Sequence, residues 1–208
     1  TPVIDRLAAE GVLFSRAICQ APVTPVSHAS ILTGLNPYTH GLRVMHGHYE
    51  NRLDDVHITL AEALRASGYH TAAFIGAFPV SERYGLNQGF DHFDAEFLQA
   101  VKEPVVTAKG TVNTANAQQR ADATTDRALA WLREARAPYF AWIHYFDPHD
   151  PVIAPPPEIM DRYGHVRGSE EEVLRAIYGS EVMFMDDQIG RVVHALETAG
   201  ALDNTLVV

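Results

Sequence analysis

One cysteine, Cys19, stands in the whole chain, so no internal disulfide can form and the redox compartment stays open. Cys19 is read either as a reactive thiol or, the commoner use of such a residue, as a small apolar packing group. No apolar run reaches the ~20 residues that a membrane-spanning helix requires. A basic stripe is also missing. With a formal net charge of −10, the chain has nothing with which to neutralise a run of phosphates, which argues against nucleic acid as the main partner. Small anionic substrates remain compatible, because they respond to the local field of a cleft. Abundant carboxylates also suit a protein that holds divalent cations. Internal repeats and low-complexity tracts are absent, and 208 residues with 47% hydrophobic content predict one ordinary globular domain.

No signal peptide is visible, but that carries little weight because both ends read as internal. The chain opens at a helix start, with Thr1 as N-cap and Pro2 in the first turn. It stops inside an apolar, β-rich run, Thr205-Leu206-Val207-Val208. A piece of a longer protein is therefore expected.

The pattern between those ends alternates strands with helices. Helices are predicted over residues 2–10, at the turn after Thr24 up to Thr33-Gly34, and from the capping-box pair Thr59 and Glu62 to Ser67-Gly68. Two more are predicted over 121–135 and 170–199, the last with an irregularity near Gly190 and Gly200 at its end. Strands are predicted over 12–18, 70–76 and 139–145, and from Thr205 onward. This alternation indicates an α/β layered domain with a largely parallel central sheet flanked by helices on both faces. In such sheets, active sites lie at the carboxyl ends of strands. The loops at 77–91 and 146–157 begin there. The long Gly-, His- and Asn-rich stretch from Leu35 to Ile58 exceeds a mere connector.

Residues 19–34 carry the most chemistry. A small-residue turn presents the Thr24 hydroxyl just ahead of a short helix expected to open at Ser27. A helix start offers unpaired N–H groups and the positive end of a dipole, so an anion can settle beside that hydroxyl. A threonine oxygen at an anion site suits a nucleophile for phosphate-like esters. The same residues, Pro22, Pro25 and Ser27, also satisfy a plain turn and N-cap.

Taken in order, several segments resemble the sulfatase family of the alkaline phosphatase superfamily. They are residues 1–11 with Phe14, Ala29-Ser-Ile-Leu-Thr-Gly34, Pro37-Tyr-Thr-His-Gly41 and Thr59-Leu-Ala-Glu-Ala-Leu64 with Gly68-Tyr69. Gly89-Phe-Asp91, His144-Tyr-Phe-Asp-Pro-His149 and Asp186-Asp-Gln-Ile-Gly190 through Val208 complete the set, leaving out about residues 95–118. The resemblance implies an alkaline phosphatase-like fold, incomplete at both ends. It implies a single catalytic domain over residues 1–208, lacking the first metal-ligand strand and the segment after the last strand. It further implies a divalent metal (Zn, Mn, Mg or Ca) with most ligands outside these residues. The 208 residues alone are then expected to bind metal weakly and to be inactive. Export or a periplasmic location is suggested by the resemblance only; compartment and oligomeric state are not legible.

Against the family's Cys/Ser-x-Pro-x-Arg motif stand Thr24, Pro25, Val26, Ser27 and His28. Thr24 has no CH₂ bearing its oxygen, so oxidation there cannot give the aldehyde of formylglycine. Where many members carry Gly-Lys-Trp-His, this chain has Gly76-Ala77-Phe78-Pro79, without the cationic sulfate contacts. Threonine nucleophiles are usual in phosphodiesterases and phosphoethanolamine transferases of the superfamily. The expectation is a metal-dependent hydrolase of phosphate-type esters, with Thr24 as nucleophile and metal ligand. The alternatives are a sulfuric ester hydrolase and an inactive binding module of the same fold.

His149 takes the place of a substrate-contacting or leaving-group histidine. His28, in place of the arginine, can contact an anionic oxygen as imidazolium, cap or ligate as neutral imidazole, or simply hold the helix. His46 and His48 form a His-x-His pair that either touches substrate or metal, or belongs to an ordinary loop. His40 is read as fixing a turn and His144 as a core histidine. Asp186 and Asp187 are read as packing or surface contacts rather than ligands.

Overall fold

The computed structural model describes residues 1–43, 51–96, 118–149, 155–163 and 168–208. They form two compact units, each discontinuous in sequence: residues 1–15, 119–133 and 145–208, and residues 16–118 and 134–144.

The second unit holds a parallel sheet of β1 (His70–Ile75), β2 (His92–Asp94) and β3 (Tyr139–His144) in the order β2-β1-β3. Central β1 is buried at every position after His70, as a nearly continuous apolar run in a parallel sheet should be. Register pairs Thr71 with Phe140, Ala73 with Trp142 and Ile75 with His144, so these residues share one face. Helices α2 (Thr24–Thr33) and α4 (Leu60–Ala66) pack into the core on that side, through Val26, Ala29, Leu32 and Ala61. The short α3 (Pro37–His40) follows α2, whose C-cap Gly34 takes the left-handed conformation at φ 70°. The capping box predicted for α4 is present: Thr59 Oγ1 accepts from Glu62 N, and the Glu62 carboxylate accepts from Thr59 N. Gly89 runs so close to α4 that a Cβ there would lie 2.3 Å from Glu62 N, which no larger residue allows.

The first unit contains α1 (Pro2–Glu10), α5 (Ala121–Glu134, except its last residue), α6 (Pro157–Tyr163) and α7 (Glu170–Thr198). Ala121, Ile159 and Phe184 form a small core, lined by Tyr145 and Met183. Ser169 and Glu172 close a capping box at the start of α7. The buried Asp186 carboxylate accepts from Val3 N (3.0 Å) and Ile4 N (2.9 Å), satisfying two first-turn amides of α1. Asp187 pairs with Arg162. Both aspartates thus make the packing and surface contacts expected of them.

Three expectations fail. Residues 12–18 and 205–208 form no strand among the described residues. Their β-branched composition confers propensity, but a strand also needs a neighbour to take its backbone bonds, and Val12, Leu13 and Phe14 stay 74–79% exposed. Helix α7 runs unbroken through Gly190. That glycine answers a close approach instead, since a Cβ would stand 3.0 Å from Val3 Cγ2. Among the described residues, no helix is long and apolar enough to cross a membrane.

Candidate active site

Helix α2 begins at Thr24, three residues earlier than the Ser27 start expected from sequence. Val23 is extended (φ −130°, ψ 124°) and acts as N-cap, while Pro25 supplies a preset φ in the first turn. The first intrahelical bond runs from Ser27 N to Val23 O at 2.9 Å. The amides of Thr24 and Val26 therefore lack an intrahelical acceptor, and Pro25 has no N–H to place. No side chain caps this end. The Thr24 side chain at this end is half-buried.

Two side chains one turn on hold the Thr24 carbonyl. Ser27 Oγ donates to it at 3.1 Å and His28 Nδ1 at 2.7 Å. A carbonyl only accepts, so Nδ1 carries the proton and the neutral ring keeps its lone pair at Nε2. The His28 ring lies 5.1 Å from the His144 ring, edge-on at 72°, and 5.8 Å from Trp142. His144 ends β3, so α2 starts at the carboxyl edge of the sheet. Burial holds His28 below the ordinary histidine range, against the opposing pull of its bond to Thr24 O. His144 is pushed down to about 3, chiefly by burial and then by His28 beside it. Burial thus disfavours the charged form of both rings, which favours the capping or ligating chemistry open to His28.

The segment after β1 turns aromatic where the resemblance implied cations. Phe78–Val80 forms a 3₁₀ turn packed on α2, with Phe78 edge-on to Tyr84 at 5.8 Å and the Arg83 guanidinium 5.5 Å from its ring. His40 fixes a turn as expected: its Nδ1 accepts from Leu42 N (3.2 Å), so Nε2–H donates to Ser30 Oγ (3.0 Å). His46 and His48 lie outside the described residues.

His149 belongs to the first unit, whereas Thr24 and His28 belong to the second. It ends the 3₁₀ turn Asp147–His149, which packs on α7. Its exposed ring stacks on Phe146 with centroids 4.2 Å apart. Asp147, at the head of that turn, is 2% exposed, and its Oδ1 accepts from Ala121 N at 2.9 Å, capping α5. Burial pushes its carboxyl above the usual range, with the Ala121 bond opposing. Sequence reading did not single out Asp147. The available signal was a carboxylate two residues before a candidate histidine, in a loop leaving a strand. In Thr24 the chain offers a metal one hard oxygen donor. Among the described residues, no group of three or more His, Cys, Asp or Glu is placed to hold an ion.

The family model described as Sulfatase matches residues 1–208. The chain is 26% identical over 267 residues to a sulfatase of Formosa agariphila, covering 100% of this chain and 52% of that one. It is 27% identical over 246 residues to the N-acetylgalactosamine-6-sulfatase of Homo sapiens, covering 100% of this chain and 44% of that one. The chain thus spans about half the length of these relatives. Among solved structures, the phosphonate monoester hydrolase of Agrobacterium radiobacter superposes with a TM-score of 0.70 at 21% identity, over 99% of this chain and 56% of that one. Ps i-CgsB, in complex with k-i-k-neocarrahexaose, gives 0.75 at 22%, over 99% and 51%. These two share the fold.

Proposed function

The chain belongs to the sulfatase family, and from that premise we propose a metal-dependent ester hydrolase that acts on phosphate-type esters through the Thr24 hydroxyl. The observation that carries this reading is the position of Thr24. It is the first residue of α2, at the carboxyl edge of a parallel sheet, among amides with no intrahelical acceptor. Thr24 Oγ1 loses its proton to solvent and bonds to phosphorus as the bond to the departing ester oxygen breaks, and that oxygen takes a proton from solvent. The resulting phosphothreonine is then hydrolysed by water. His28 holds the carbonyl of the same residue and so fixes the turn that aims the hydroxyl. His149 contacts the ester at its leaving group, as the resemblance implies, and its exposed ring is open to that role.

Thr24 would be one ligand to a divalent cation (Zn, Mn, Mg or Ca), with the remaining ligands supplied outside these residues. When bound, such an ion lowers the hydroxyl's pKa and offsets charge on the transferring group.

A second reading, hydrolysis of sulfuric esters, is favoured by the relatives described as sulfatases. The residue at position 24 weighs against it, since threonine cannot become formylglycine. The test is turnover of nitrophenyl phosphate, a phosphodiester and nitrophenyl sulfate by full-length protein with each metal, beside Thr24→Ala. Phosphoester turnover lost in Thr24→Ala by at least ~10³-fold supports the proposal. Turnover unchanged by the substitution rejects Thr24, and turnover of the sulfate alone favours the second reading.

A further inference from the structure

We propose that Asp147 is the positioning residue for His149, tying the turn that carries it to the start of α5. The inference rests on the reading of His149 as a substrate-contacting group.

The turn Asp147–His149 is three residues long and carries an exposed histidine at its end. A three-residue turn does not fix the exposed side chain at its end unless something anchors it. His149 N donates to Phe146 O at 3.0 Å and its ring stacks on Phe146, both contacts local to the turn. The Asp147 side chain, by contrast, accepts from a donor 26 residues back along the chain, Ala121 N at 2.9 Å. It is buried, so water cannot substitute for either partner. Ala121 is itself fully buried at the head of α5, in the core with Ile159 and Phe184. The anchor therefore ends on a packed helix rather than on another loop.

Capping alone does not require a carboxylate. Asp147 Oδ2 is buried and has no hydrogen-bond partner among the described residues. Only the Oδ1 acceptor does the anchoring, so an amide in its place should serve as well. That makes the role separable from charge.

The experiment is a double-substitution cycle on full-length, metal-loaded protein, reading kcat and KM with a nitrophenyl phosphoester. The variants are Asp147→Leu, Asp147→Asn and His149→Ala, with Asp147→Leu/His149→Ala as the double. Leucine keeps the buried volume but cannot accept; asparagine keeps the acceptor. Asp147→Leu is expected to lower kcat/KM about as far as His149→Ala does, on the order of 10-fold, the loss of one buried hydrogen bond. The double variant should be no worse than His149→Ala, and Asp147→Asn should stay within about 3-fold of the parent. Additive losses, or an Asp147→Asn as impaired as Asp147→Leu, would overturn the proposal. If His149→Ala itself leaves kcat/KM unchanged, the reading of His149 falls and the positioning role falls with it. Should Asp147→Leu fail to fold, Asp147→Ala enters the same cycle with the same expectations.

Discussion

His28 Nδ1 donates to the carbonyl oxygen of Thr24 at 2.7 Å, one helical turn away, so the imidazole holds the very residue whose hydroxyl is proposed to attack. The bond settles the ring's tautomer and turns Nε2, with its lone pair, away from the helix backbone.

The bond can be removed while the rest of the ring's loss is held constant. An asparagine amide nitrogen can take the place of Nδ1, whereas alanine offers no donor. Both lose the contacts with Trp142 and His144. His28→Ala should therefore lower kcat by about 10-fold more than His28→Asn does, an effect of one hydrogen bond. Steady-state kinetics of the two variants check this, and equal kcat values would remove the clamp from the account.

His144 makes stability sensitive to acid. Its folded-state pKa is about 3 against 6.5 for the free group, so between those values the unfolded chain binds more protons. Stability is full above pH 6.5 and falls as pH drops toward 3, by at most about 1.4 kcal/mol per pH unit for one group. Denaturant unfolding at pH 7.5 and 5 should show a shallower loss for His144→Phe than for the parent. Parallel losses would mean that other groups set the acid limit.

Asp147 works with the opposite sign. Burial raises its carboxyl pKa, so the folded chain holds its proton longer and stability declines as pH rises through the folded value. Asp147→Asn should gain on the parent as pH increases from 4 to 8, measured by thermal unfolding. A constant difference across that range would contradict the burial argument.

Asp186 ties α1 to α7 through two backbone amides. Asp186→Ala leaves those donors and a buried space unfilled, at a cost of about 2–4 kcal/mol. Asp186→Asn, which keeps one acceptor, should lose less. Denaturant midpoints of the two variants test this order.

Local chemistry was legible without a structure wherever a few adjacent residues decide the outcome. The Thr59–Glu62 capping box, the end of α2 at Thr33-Gly34, the Pro2 helix start and the buried run of β1 are cases of that kind. Non-local pairing was not legible, and the failed strands at residues 12–18 and from Thr205 show why. Apolar β-branched composition states a preference, but a neighbouring backbone has to accept it. The start of α2 was misplaced for a related reason: Ser27 has the chemistry of a cap, yet Val23, extended ahead of Pro25, already fills that place.

The order of motifs along the chain determined the family, the parallel α/β class and the choice of Thr24, because these depend on residue type and spacing. Tertiary structure decided the state of each group. Burial holds His28 and His144 below the ordinary histidine range, a distant amide binds the Asp147 carboxylate, and Asp186 acts as a cap across 183 residues of sequence. Desolvation and long-range hydrogen bonds arise only once distant segments meet, so no window of sequence contains them.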